Sequence, residues 1–135
     1  MSDELYQEKI VALAKANTGA GKLATPTRTA RRDTPLCGDR VIVDVTLDAA
    51  GKITEIAHQV RGCLLCQASA SALSSLAIGK DAGGIAEIRH DAGRALGREQ
   101  GAAHEPYAAC APVAAHKSRQ ECVLLPLEAL KDALS

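Results

Sequence analysis

The sequence predicts an α+β domain: a small three-stranded, mostly antiparallel sheet with helices packed on one face. Two observations lead there. Val41, Val43, Val45 and Leu47 alternate with Ile42, Asp44, Thr46 and Asp48, the period of a half-buried strand. Asp48-Ala-Ala-Gly-Lys52 then reads as a hairpin connection, and Ile53 to Val60 as the returning partner strand. Around this hairpin lie Ala-, Ser- and Leu-rich stretches that read as helices.

In chain order, Leu5, Ile10, Leu13 and Ala14 recur at helical spacing, so Asp3 to Ala16 is an amphipathic first helix, with Ser2 or Asp3 to cap it. Asn17 to Gly21 breaks the pattern with two glycines. Leu23 to Arg32 alternates weakly and reads as an edge strand, the only kind that tolerates Pro26. After the hairpin, Leu64 to Lys80 is expected as a buried helix whose small residues permit close approach to the sheet, and Asp81 starts another helix through Leu96. Gly97 to Pro106 is a polar loop, and Tyr107 to Ala115 a short helical segment. Val123 to Leu134 closes the domain as a helix, with Pro126 in its first turn or kinking it.

Length fits one domain, 1–135, able to bury a core without disulfide staples. That core lacks Phe and Trp, so close packing of small side chains, and a bound metal, are expected to contribute to stability. Acidic and basic residues balance at 16 each without long runs, which argues against nucleic acid or a membrane surface as the main partner. No stretch approaches the roughly 20 apolar residues of a spanning helix, and Met1 to Lys22 lacks a signal-peptide layout. Five cysteines, an odd number, point to a reducing cytoplasm and to thiol or metal chemistry.

Three of those cysteines lie where elements are expected to begin or end: Cys37 in Pro35-Leu36-Cys37-Gly38-Asp39, Cys63 after Arg61-Gly62, and Cys122 after Arg119-Gln120-Glu121. Such positions let the backbone aim a sulfur outward. Three thiolates and the Asp39 carboxylate make a four-ligand set for zinc, or for iron in an iron–sulfur cluster. The competing reading is that these cysteines pack as small hydrophobes, since their intervals match no short zinc signature. Gly38, Asp39 and Gly62, poor core formers, weigh against it. Pairing of the two hairpin strands also brings Cys37-Gly38-Asp39 and Cys63 together. Cys63 then stands at a helix N-terminus, where an anionic sulfur is favoured.

Thr34-Pro-Leu-Cys-Gly-Asp39, Gly62-Cys-Leu-Leu-Cys-Gln-Ala-Ser-Ala-Ser71 and Arg119-Gln-Glu-Cys122 resemble, in order, the three signature stretches of the IscU/NifU iron–sulfur scaffold family. The long interval from Cys63 to Cys122, Glu121 where the IscU branch typically has histidine, and Arg119 resemble its SufU branch. Two departures stand out. Cys66 occupies a position where serine is more usual, and Ala14-Lys-Ala-Asn17 replaces the customary N-terminal His-x-x-Asn-Pro-x-Asn.

The resemblance implies a SufE/NifU-like fold and a single IscU/NifU N-terminal-like domain. It puts the metal ligands at Cys37, Asp39, Cys63 and Cys122. It also implies a cytoplasmic role in iron–sulfur cluster assembly beside a cysteine desulfurase and downstream iron–sulfur acceptor or carrier proteins. On that basis the chain is expected to be a zinc-dependent sulfurtransferase or a scaffold assembling a [2Fe–2S] cluster on the same residues. As sulfur acceptor, the position of Cys122, after a loop and at the start of the last helix, favours that cysteine. A metal-free interaction protein would leave Cys37-Gly38-Asp39 unexplained.

Other readings attach to single residues. Cys63-Leu-Leu-Cys66 has the layout of a thioredoxin-type redox pair, which wants a βαβ surround rather than a hairpin. Cys66 reads as an extra ligand, a resolving thiol or, one turn into a helix, a buried inert residue. Cys110 reads as core. His58, His90, His104 and His116 read as surface or core histidines. Gly19-Ala-Gly21-Lys22 is too short for a phosphate loop.

Overall fold

A hairpin forms two of the three strands of the sheet. The computed structural model describes residues 2–34 and 38–135. In it β2 (Arg40–Leu47) and β3 (Ile53–Arg61) pair antiparallel, Arg40 opposite Arg61 and Val45 opposite Ile56. Asp48 closes the turn, its Oδ1 accepting the Ala50 and Lys52 N–H groups at 2.9 Å each. Gly51 takes φ 82°, a conformation that favours glycine. Val41, Val43, Val45 and Ile53 face the core, as the alternation predicts.

β1 (Arg28–Asp33) adds antiparallel to β2, giving the order β1-β2-β3. It is shorter than the expected Leu23 to Arg32. The chain bends before Pro26, which has no N–H to give a ladder, and pairing starts only after it. Residues 23–29 cover Asp44 instead. The Asp44 carboxylate, expected on the open face, is buried and accepts from Leu23 N–H (3.1 Å) and Thr29 Oγ1 (2.8 Å).

α1 (Ser2–Ala16) buries Ile10 and Ala14 against Ala68 of α2 (Leu64–Ala77) and Ala109. α2 is lined with buried Ala and Ser, whose size lets neighbours come close. Ser69 Oγ bonds to the Val123 carbonyl at 2.5 Å, and the buried Tyr107 hydroxyl donates to the Ser69 carbonyl at 3.0 Å. α3 (Ala82–Ala95) is capped by Asp81, whose Oδ1 accepts the Gly84 N–H at 2.9 Å. Tyr107–Ala115 is a 3₁₀ helix.

The last helix corrects its expectation. α4 runs from Lys117 to Ala133, well before Val123, and holds Pro126 in its interior. An interior proline lacks the N–H for the Cys122 carbonyl four residues back and is disfavoured by about 3 kcal/mol. Pro126 is fully buried, and Val123, Leu127 and Leu130 on the same helix are 0 % exposed. Their burial outweighs the local preference.

His58 joins the segment after α1 to the sheet. Its N–H donates to the Gly19 carbonyl (2.8 Å), its carbonyl accepts from Gly21 (2.9 Å), and Nε2 meets the Thr18 carbonyl at 2.7 Å. Nε2 therefore carries the proton, while Nδ1 is buried with no hydrogen-bond partner among the described residues. Burial is the chief reason its pKa lies below the ordinary 6.5, against the raising effect of the Thr18 bond. The unfolded chain thus takes up a proton that the folded one resists. His58 contributes its full stability above pH 6.5 and loses it as pH falls through the lower folded value. Urea midpoints at pH 7.5 and 5 should fall further for the wild type than for His58→Gln. An equal fall in both would remove His58 as the cause.

Candidate metal centre

Strand pairing builds the site. Asp39 immediately precedes Arg40 at the start of β2, and Cys63 follows Arg61 at the end of β3. Since Arg40 and Arg61 are partners across the ladder, Asp39 and Cys63 emerge at the same end of the sheet. Cys63 is the N-cap of α2, with extended backbone (φ −74°, ψ 170°), and its carbonyl accepts the Gln67 N–H at 3.1 Å. Cys122 arrives from α4. The donor atoms of Asp39, Cys63 and Cys122 all lie within 4.8 Å of one another. Cys37 lies outside the described residues.

These residues fit a metal ion. Asp39 is 4 % exposed, and its Oδ2 is buried with no hydrogen-bond partner among the described residues. A buried carboxylate oxygen left so is costly unless a cation answers it. Two sulfurs and one carboxylate oxygen are a donor set that zinc accepts. Arg40 and Arg61 are partners across the ladder at this end of the sheet, and Arg40 Nε donates to Asp33 Oδ2 at 3.3 Å.

Burial separates the cysteines. Cys63 is half-buried, whereas Cys122 is 2 % exposed. Cys122 was expected to open the last helix with its sulfur outward. It lies inside the second turn of α4, facing the core, because that helix begins at Lys117. Cys66 and Cys110 are buried within the core, as expected for inert thiols. Burial pushes the Cys110 thiol up to about 12. Cys66→Ala and Cys110→Ala should keep the wild-type metal content while losing about 1 kcal/mol each to the cavity. Metal analysis of the purified variants checks this.

β3 before the Cys63/Cys66 pair belongs to the antiparallel hairpin, the surround unfavourable to a thioredoxin-type pair. Among the described residues no histidine joins the cluster. His90 Nδ1 pairs with Glu99 and His104 Nδ1 with Asp91, and His116 is exposed at the N-cap of α4. The sequence reading missed Gln120. It is buried, donates to the Leu96 and Ala114 carbonyls at 3.2 and 3.1 Å, and accepts from Arg98 Nε at 2.7 Å. It thereby fixes the first turns of α4, and with them Cys122. An earlier helix start was the signal needed to see it.

Fold and site together define a small α+β domain that gathers soft and hard metal donors at one end of its sheet. The chain belongs to the NifU-like N-terminal domain family, whose sequence model matches residues 5–133. It is 30% identical over 136 residues to the bifunctional protein NifU/MnmA of Rubrobacter xylanophilus, a match covering 96% of this chain and 28% of that protein's length. A nitrogen-fixing NifU-like protein (N-terminal) from Brucella abortus has the same fold, with TM-score 0.86 and 30% identity over 97% of this chain and 92% of that one. So does a candidate iron–sulfur cluster assembly scaffold protein for the SUF system from Fervidobacterium islandicum, with TM-score 0.85 and 24% identity over 95% of each chain. Among the described residues no helix is long and apolar enough to cross a membrane.

Proposed function

We propose that this protein acts in iron–sulfur cluster assembly as a SufU-type acceptor of sulfur from a cysteine desulfurase, at a centre formed by Cys37, Asp39, Cys63 and Cys122 around zinc. The observation that carries the reading is the convergence of the Asp39, Cys63 and Cys122 donor atoms within 4.8 Å. Membership of the NifU-like family supports it. Cys37 completes the set from the sequence, two residues before Asp39.

Bound zinc would keep the coordinating thiols deprotonated at neutral pH. The acceptor thiolate attacks the outer sulfur of the desulfurase persulfide. A new S–S bond forms, the bond between the two desulfurase sulfurs breaks, and the desulfurase cysteine leaves as a thiolate, with no net oxidation. Attack requires access. Among the described cysteines we therefore assign this role to Cys63, which is half-buried, in preference to Cys122, which is 2 % exposed.

The test is to mix the protein with a cysteine desulfurase and cysteine, then map sulfur by mass spectrometry. Faster turnover and one extra sulfur on the Cys63 peptide are expected. Sulfur on Cys122 or Cys37, with none on Cys63, would reassign the nucleophile. No extra sulfur and no faster turnover would refute sulfur acceptance.

The same donors suit a [2Fe–2S] cluster as cargo, since three cysteines and one oxygen ligand approach the cysteine ligation such clusters use. Protein purified without oxygen separates the readings. One tightly held zinc favours the acceptor, while labile iron with sulfide favours the scaffold.

A further inference from the structure

Asp39 is held from two sides by residues outside the donor set. Thr34, 5 % exposed, follows β1 and closes the loop that leads to β2. Its N–H donates to the Asp39 carbonyl at 2.8 Å, and its carbonyl accepts the Gly38 N–H at 3.2 Å. Its Oγ1 accepts the Asp39 N–H at 3.1 Å. Both backbone polar groups of Asp39 are thus engaged by one residue. Gly38 turns the chain into Asp39 with φ 69°.

Gly62 bounds the carboxylate on the other side. A Cβ there would lie 2.6 Å from Asp39 Cγ, 2.8 Å from Oδ1 and 2.9 Å from Cβ, distances that force a shift. Its backbone has no positive φ, so space, not conformation, requires the glycine. Oδ2 is left buried and without a hydrogen-bond partner among the described residues.

We propose that Thr34 and Gly62 are positioning residues that fix Asp39 as the oxygen donor of the centre. This inference rests on the metal-binding reading above. Groups that orient a ligand without touching the metal commonly account for about 10- to 100-fold in affinity. A hydroxyl serving only to close a loop would change stability alone, whether or not the Asp39 carboxylate is present.

Anaerobic titration of the reduced full chain with Co²⁺ tests the proposal. Thiolate-to-cobalt charge-transfer intensity reports the sulfurs, and the d–d bands report the oxygen donor. Thr34→Val should bind cobalt about 10-fold or more weakly, with unchanged charge-transfer intensity per bound ion and shifted d–d bands. Thr34→Ser should restore both. Gly62→Ala should lose as much or more.

In an Asp39→Ala background Thr34→Val and Gly62→Ala should have little further effect, as expected when two residues act through a third. Wild-type affinity in Thr34→Val, or the same loss with Asp39 absent, would overturn the proposal. If Thr34→Val does not fold, Gly62→Ala, which leaves the loop's hydrogen bonds in place, carries the same comparison. A wild-type chain showing no thiolate charge transfer with cobalt would instead sink the metal reading, and this inference with it.

Discussion

Stripping the centre of its metal is expected to lower the thermal midpoint of unfolding by roughly 10–20 °C. The described donors come from separate elements: the loop before β2, the N-cap of α2 and the second turn of α4. A metal bound there would join these elements in the folded chain only. A ligand that binds the native state alone, present at a thousand times its dissociation constant, contributes about 4 kcal/mol. For a domain of this size each kcal/mol moves the midpoint by a few degrees. Zinc-dependent peptides gain more, about 10–16 kcal/mol, because they have little other core. Here Val41, Val43, Val45, Leu127 and Leu130 form one without the metal. Scanning calorimetry with and without a strong chelator provides the measurement. An unchanged midpoint after confirmed metal loss would mean that the cysteines serve packing alone.

Cys63→Ser is expected to weaken metal binding by more than about 100-fold, beyond what is usual for residues that only orient a ligand. A serine hydroxyl does not ionise at neutral pH, so a charged soft donor becomes a neutral one. Cys37→Ser and Cys122→Ser should behave alike. Asp39→Ala should lose less, since three thiolates remain. Competition with a chromophoric chelator reads these affinities directly. Retained binding in Cys122→Ala with loss in Cys66→Ala would point instead to a Cys63/Cys66 knuckle. Cys63→Ser should also abolish sulfur acceptance, because Cys63 is the half-buried sulfur of the described cluster.

The hairpin was legible in the sequence because strand periodicity and turn chemistry are local. Val41, Val43 and Val45 alternate with more polar neighbours, and Asp48 with Gly51 marks the turn. From that hairpin alone it followed that Asp39 and Cys63 meet at one end, since antiparallel pairing joins the start of one strand to the end of the next. The helices from α1 to α3 were readable for the same reason, as was the burial of Cys110, whereas Cys66, open among three readings in the sequence, is seen in the core only in the tertiary structure.

The start of α4 was not legible. Pro126 signals a helix beginning near it, whereas the turn before it is exposed at Lys117, Ser118 and Arg119 and is held by buried Gln120, bonded to the Leu96 and Ala114 carbonyls from distant segments. That difference turned Cys122 from an outward sulfur into a core-facing one. Tertiary structure likewise placed Asp44 inside and brought Gly62 against the Asp39 carboxylate. Composition and short-range pattern determine which elements form and which donors stand at their ends. How far each donor is uncovered depends on what packs over it from distant parts of the chain, and no local pattern carries that information.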